Sequence, residues 1–238
     1  IEYAVRMRQF PVNARLDQVL GCGDIGARQI EDLARLLAGF HDAQKAIDDI
    51  DPEQAAGRAS RPALNNFMHI EGHHISKNSR KRIDAIHSWT LVRAAELAPA
   101  FRQRTAGGFV RECHGDLHLA NLFLRDGRIC PFDSLEFNSE LRNIDQVSDL
   151  SFLVMDLMAY GRTDLAFVLL NTWLEATGDY QGLEVLRFYL VYRCMVRLKV
   201  AAIQAKLLHE DASGENTIKA GRYLDLADAL TGPRKPPL

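Results

Sequence analysis

The stretch His114-Gly115-Asp116-Leu117-His118-Leu119-Ala120-Asn121 and, past a short apolar reversal, Pro131-Phe132-Asp133 gather oxygen- and nitrogen-bearing side chains at close spacing. Phosphoryl transfer asks little covalent chemistry of a protein, but it needs a carboxylate at the attacking hydroxyl and oxygen ligands that hold Mg²⁺ against the phosphates. Asp116 is the candidate catalytic base, and Asn121 and Asp133 offer the hard oxygen donors that Mg²⁺ takes. His114 reads as structural, hydrogen-bonded to the loop backbone, and the role of His118 is open. Glu136 has two readings, a contact to metal or substrate and an ion pair.

Those side chains must be brought together, and the reversal supplies the means. Leu122-Phe123-Leu124 and Ile129-Cys130 are short apolar runs, and Asp126-Gly127 between them favours a tight hairpin turn. Folding the runs antiparallel returns Asp133 to the neighbourhood of Asn121, where a metal bridged between them sits beside Asp116. The triplet His114-x-Asp116-x-His118 also permits a rival of another class, a metal-dependent hydrolase in which imidazoles and a carboxylate hold the ion. Such a site recruits further ligands from distant strands, and His209 is the one histidine after His118.

The pattern His-Gly-Asp-Leu-x-x-x-Asn from His114 to Asn121, followed by Phe132-Asp133, resembles the catalytic loop and metal-binding Asp of the aminoglycoside phosphotransferase and choline kinase group. These are relatives of the protein kinases, whose own pattern is H-R-D-L-x-x-x-N. The longer text, from Arg111-Glu112-Cys113 through Ser134-Leu135-Glu136-Phe137-Asn138 to Asp149-Leu150-Ser151-Phe152-Leu153-Val154-Met155-Asp156-Leu157, resembles a bacterial branch of that group often fused to a C-terminal P-loop kinase-like domain. The resemblance implies a small-molecule kinase with ATP and Mg²⁺ as cofactors and an alcohol group as acceptor. It implies a mostly α fold with a small β-hairpin, the C-terminal lobe of a protein-kinase-like α+β fold, with the N-terminal lobe largely absent from this chain. Asp149 would brace the backbone of the catalytic loop from its helix.

By the same resemblance, Tyr3-Ala4-Val5-Arg6-Met7 is the last strand of the N-terminal lobe running into the hinge, so that backbone groups at Arg6, Met7 and Arg8 meet adenine. Residues 1–13 are then a hinge-strand remnant, 14–231 a helical lobe, and 232–238 a linker toward a P-loop domain, the implied partner in the full protein. A second rival is a catalytically inactive kinase-like module that binds a ligand or regulates that neighbour. The complete set of Asp116, Asn121 and Asp133 speaks against decay of the large lobe, while the missing N-terminal lobe leaves this rival open.

Composition narrows the partners. The 238 residues are 47% hydrophobic, enough for one good core or two small ones, and a net charge of -2 gives no field to hold nucleic acid or an acidic membrane. A small-molecule substrate is the partner expected. Cys22, Cys113, Cys130 and Cys194 are scattered with no CxxC pair, which suits neither a zinc site nor a disulfide framework and fits a reducing, cytoplasmic setting. The most apolar run, Leu150 to Tyr160, falls short of the roughly 20 residues a membrane span needs.

Along the chain, a short helix is expected from Ala14 to Leu20, and the glycine triplet Gly21-x-Gly23-x-x-Gly26 reads as a helix-to-helix turn, since no buried strand precedes it. Ile30, Leu33, Leu36, Leu37 and Phe40 recur at helical spacing, ending near His41 beside the C-terminal dipole. From Asp42 to Ser79 the text reads as a long surface excursion with one helical turn, a candidate substrate lid. A second long helix is expected from Ser79 to Arg102, then a strand at Phe109 to Glu112. Four more follow at Val147–Tyr160, Asp164–Ala176, Leu183–Leu208 and Asn216–Leu230, with Gly161 and Gly178 as terminators. Arg193 and Arg197 lie one turn apart on a largely apolar helix, where burial is costly unless carboxylates meet them. Pairing with Glu136, Asp145 or Asp156 is the favoured reading, contact with an anionic substrate the other.

Overall fold

Helices form where apolar residues recur at three- and four-residue spacing, and they make up most of this chain. The computed structural model describes residues 11–20, 25–47, 50–70, 77–211 and 213–233. The expected hinge strand with Arg6, Met7 and Arg8, the first part of the glycine triplet and most of the expected linker from 232 to 238 lie outside the described residues. A 3₁₀ turn at Val12–Ala14 leads into α1 (Leu16–Val19), followed by α2 (Ala27–Ala43), α3 (Pro52–Ile70), α4 (Lys77–Glu96) and α5 (Ala98–Ala106). Then come β1 (Val110–Glu112), β2 (Leu122–Arg125), β3 (Arg128–Pro131), α6 (Ser139–Arg142) and β4 (Asn143–Asp145). The chain continues through α7 (Gln146–Ala159), α8 (Thr163–Thr177), α9 (Leu183–Leu207) and α10 (Glu215–Thr231).

Helix α7 is the buried centre: every residue from Gln146 to Leu157 is shielded from solvent. Asp145 caps its N-terminus, accepting from the Val147 N–H at 2.9 Å. Helices α8 and α9 pack on it, α2 covers α8, and α10 lies along α9. Burying Leu150, Phe152, Leu153 and Leu157 at 1% exposure or less contributes roughly 1.5–3 kcal/mol each. Gly161 and Gly178 follow their helices with φ of 76° and 71°, the left-handed turn that releases a chain from a helix.

The expected hairpin forms, pairing Leu122 with Pro131 and Leu124 with Ile129. Asp126 and Gly127 turn it with φ of 50° and 75°, both positive as a two-residue reversal of this hand requires. A second two-stranded sheet pairs β1 with β4, setting Arg111 opposite Ile144.

Two expectations need correcting. The supposed excursion from Asp42 to Ser79 contains α3, a helix of 19 residues that tolerates Pro62 in its interior. Its inward face is Ala55, Ala63, Phe67 and Ile70, packed toward α5 and α9. The single helix expected from Ser79 to Arg102 is instead two, broken at Leu97, because Pro99 opens α5, where its missing N–H costs nothing.

Candidate active site

The loop from His114 to Asn121 hangs from α7 by two carboxylates. Asp149 accepts from the backbone N–H groups of His114 (3.2 Å) and Gly115 (2.9 Å), and Asp156 accepts from the N–H of Leu119 at 2.9 Å. Tyr223 on α10 donates its hydroxyl to the other oxygen of Asp156 at 2.6 Å. Burial and the neighbouring Asp156 charge push the Tyr223 hydroxyl well above its usual range, so it stays a donor. Gly115 takes φ +84°, and a Cβ there would meet the Leu141 carbonyl at 2.9 Å and the Leu135 side chain at 3.0 Å. Only glycine fits.

Asp149 has a third partner. His41, at the end of α2, points Nε2 at its Oδ2 at 3.0 Å, while the Trp173 indole N–H donates to His41 Nδ1 at 3.2 Å. An indole N–H only donates, so Nδ1 accepts and the ring proton sits on Nε2, aimed at the carboxylate. Burial raises the Asp149 carboxyl, but His41, His114 and the Gly115 N–H outweigh that and hold it below the usual range. Cys113 lies close to His41 and Asp149 but donates its thiol to the Ile144 carbonyl at 3.5 Å, and both His41 nitrogens are committed to Asp149 and Trp173.

Within the loop, the Asn121 side-chain amide donates from Nδ2 to both the Asp116 carbonyl and Asp116 Oδ2, each at 3.0 Å. A carbonyl can only accept, which fixes the amide and leaves Asn121 Oδ1 directed elsewhere. His118 caps the following 3₁₀ turn through Nδ1, accepting from the Ala120 N–H, and presents Nε2 to Asp116 Oδ2 at 3.4 Å. Burial raises the Asp116 carboxyl, but His118 together with the charges of Arg193 and Arg197 lowers it further, and the net shift is downward. Asp116 is therefore ionised at neutral pH.

His114 donates from Nε2 to the Phe132 carbonyl at 2.9 Å and accepts the Asp116 N–H at Nδ1. Both ring nitrogens are committed, which leaves no donor atom for the metal that a hydrolase would place between His114 and His118. The hairpin carries the Phe132 N–H to the Asn121 carbonyl at 3.0 Å, and Asp133 follows at once, exposed and in the left-handed conformation at φ 60°. Glu136 is exposed, and no ion pair joins it among the described residues.

Arg193 and Arg197 do not meet the carboxylates expected of them. Arg193 donates to the Ser148 carbonyl at 3.2 Å and hydroxyl at 3.3 Å, and its plane lies 4.6 Å from the Phe152 ring. Arg197 reaches the Tyr223 hydroxyl at 3.4 Å and lies over that ring. Around Arg193, carbonyls, a hydroxyl and aromatic faces stand in for an acid, because a guanidinium offers five donors and a flat cation for stacking, whereas the expected Asp156 acts on Arg197 by its charge and through the shared Tyr223 hydroxyl. Asp145 pairs instead with Arg104, which also takes Asp179, at distances up to 2.9 Å in a fully buried triad. Sequence reasoning missed His41 and Arg104, whose partners lie 108 and 41 to 75 residues away.

The donor set fits a hard divalent cation: Asn121 Oδ1 and the exposed Asp133 carboxylate at one end of the hairpin are the oxygen ligands Mg²⁺ takes, and neither is spent on holding the loop. Among the described residues, no helix is long and apolar enough to cross a membrane.

The architecture is that of a kinase-like fold. An ethanolamine kinase from Plasmodium vivax matches it with a TM-score of 0.51 at 11% identity, over 85% of this chain and 59% of that one. In sequence, the chain is 30% identical over 206 residues to uncharacterised proteins of Mycobacterium tuberculosis and Mycobacterium bovis, covering 85% of itself and 41% of each. It thus spans about two fifths of the length of these curated relatives. It is also 27% identical over 126 residues to an inositol 2-dehydrogenase of Burkholderia cenocepacia, which is 48% of this chain and 37% of that protein. The sheets of the described residues are two antiparallel pairs, with none of the parallel strands a dinucleotide fold requires. No family model matches the chain.

Proposed function

We propose that this chain is the C-terminal lobe of an ATP- and Mg²⁺-dependent phosphotransferase that acts on a hydroxyl of a small molecule. The observation that carries the reading is Asp116 fastened to Asn121 in a loop suspended at two points from one buried helix. The acceptor hydroxyl's O–H bond breaks with its proton passing to Asp116 while its oxygen bonds to the γ-phosphorus, and the bond from that phosphorus to ADP breaks. Asn121 Oδ1 and Asp133 would hold the metal, which when bound neutralises charge on the phosphates. Asp149, His41 and Asp156 keep the loop backbone fixed, so that Asp116 needs little rearrangement to face the hydroxyl. Arg6, Met7 and Arg8 remain the proposed adenine contacts. A P-loop domain remains the proposed neighbour in the full protein, and the cytoplasm its proposed compartment. Ethanolamine is the substrate in the structural neighbour's name, and it is not carried over to this chain.

The test is single-turnover transfer from γ-labelled ATP by the full-length protein. Asp116→Asn should lower turnover by at least about a thousandfold, since the proton acceptor and a positioned charge are both lost, while ATP-Mg²⁺ affinity changes less than threefold. Equal turnover by wild type and Asp116→Asn would remove the proposed base.

A further inference from the structure

Helix α3 makes one wall of a cavity of about 430 Å³ that Gly115 and Asp116 also line, a size suited to a small metabolite. On the α9 side, Lys199 donates from Nζ to Asn66 Oδ1 at 2.7 Å. An ammonium only donates, so the oxygen of this amide is fixed toward Lys199 and its Nδ2 faces away. Among the described residues that Nδ2 has no hydrogen-bond partner, although it is closed to solvent and Asn66 is only 4% exposed. A buried donor without an acceptor carries its full desolvation penalty until something accepts from it. Lys199 is half-buried with no carboxylate paired to it among the described residues, and burial lowers its pKa.

The other charges on the lining sharpen the case. Arg193 and the exposed Arg61 stand with Lys199, while the acids are Asp116, reserved for the reacting hydroxyl, and Glu140, exposed on α6. A cationic amine entering this cavity would meet like charge at Lys199 and Arg193. An anionic oxygen group meets the ammonium of Lys199 instead.

We propose that the cavity takes an acceptor that bears, besides its hydroxyl, a carboxylate or phosphate ester, held by Lys199 Nζ. The assignment of this ligand as the acceptor rests on the phosphotransferase reading, whereas its anionic character rests on the cavity alone. Calorimetry on the full-length protein separates the two, using glycerate and glycerol 3-phosphate as anionic probes and ethanolamine and choline as cationic ones. At least one anionic probe should bind, without competing with ATP-Mg²⁺, and Lys199→Gln should weaken it tenfold or more while Lys199→Arg restores most of it. The glutamine amide can still donate to Asn66 Oδ1, and an unchanged unfolding midpoint shows that this variant remains folded. Binding of a cationic probe alone, binding of neither class, competition with ATP-Mg²⁺, or equal affinity in Lys199→Gln would each overturn the proposal. Anion binding without phosphoryl transfer to any probe or to a wider hydroxy-acid panel would uphold the cavity and count against the phosphotransferase. Transfer to ethanolamine or choline alone would do the reverse.

Discussion

Replacing Asp149 by Asn tests the suspension of the loop with almost no change of shape. Its Oδ1 accepts from Gly115, and its Oδ2 accepts from both His114 and His41. An amide keeps one acceptor oxygen, so its better orientation places oxygen toward His114 and His41 and nitrogen toward the Gly115 N–H. Two donors then face each other across about 2.9 Å, in a site with 0% exposure. Turning the amide over does no better. Its nitrogen would then face the ring proton of His41, which cannot move to Nδ1 while Trp173 donates there. The variant therefore loses at least one charge-assisted hydrogen bond and strands a buried N–H, a cost of about 2–4 kcal/mol, against a total of about 5–15 kcal/mol for a domain. Urea unfolding followed by circular dichroism measures it, with turnover read in parallel. The wild-type advantage should hold at every pH above the ordinary aspartate range. It should shrink progressively from the ordinary aspartate range downward and be gone below the lowered folded-state value, since the unfolded carboxyl protonates first. A loss under about 1 kcal/mol, or a loss with no drop in turnover, would refute the idea that this carboxylate sets the loop.

Other outcomes follow from the same geometry. His118→Asn keeps an oxygen to cap the Ala120 N–H but removes the imidazole from Asp116, so the Asp116 pKa should rise and the acid limb of kcat/KM should move to higher pH; an unmoved limb would remove His118 from that role. Arg104→Met strands two buried carboxylates, Asp145 and Asp179, and should cost about 3–5 kcal/mol by denaturant titration. Gly115→Ala places a Cβ at 2.9 Å from a backbone carbonyl in a left-handed position and should cost about 1–3 kcal/mol while lowering turnover; an alanine variant as stable and active as wild type would show that the loop tolerates a side chain there.

The sequence exposed the parts of this structure whose cause is local. The hairpin was legible because Asp126-Gly127 stands between alternating apolar runs, and helices α7 to α10 because their apolar positions are dense and glycines end two of them. Helix α3 was not, because alanines bury half of its inward face, and Asn65-Asn66 with an internal proline read as irregular text. Strand β4 is three residues long, and its identity comes from β1 rather than from its own residues. Within the site, Asp116, Asn121 and Asp133 stood out by spacing. The brace of His41 and Trp173 did not, because nothing local to either residue marks a partner more than a hundred positions away. The arginines of α9 misled for a different reason: a buried guanidinium can be satisfied by carbonyls and rings, so its partner need not be an acid.

Asp149 and Asp156 stand two turns apart on a single helix, about 10 Å along its axis, and each grips one end of the same short loop. The spacing of the reactive segment is thereby tied to the pitch of a helix, a length that no side-chain substitution alters. The side chains facing the cavity belong largely to α3 and α9, outside that gauge. Drift at Arg61, Asn66 or Lys199 can thus retune which molecule is admitted while the machinery that would act on it keeps its dimensions, which gives one scaffold freedom to serve many clients.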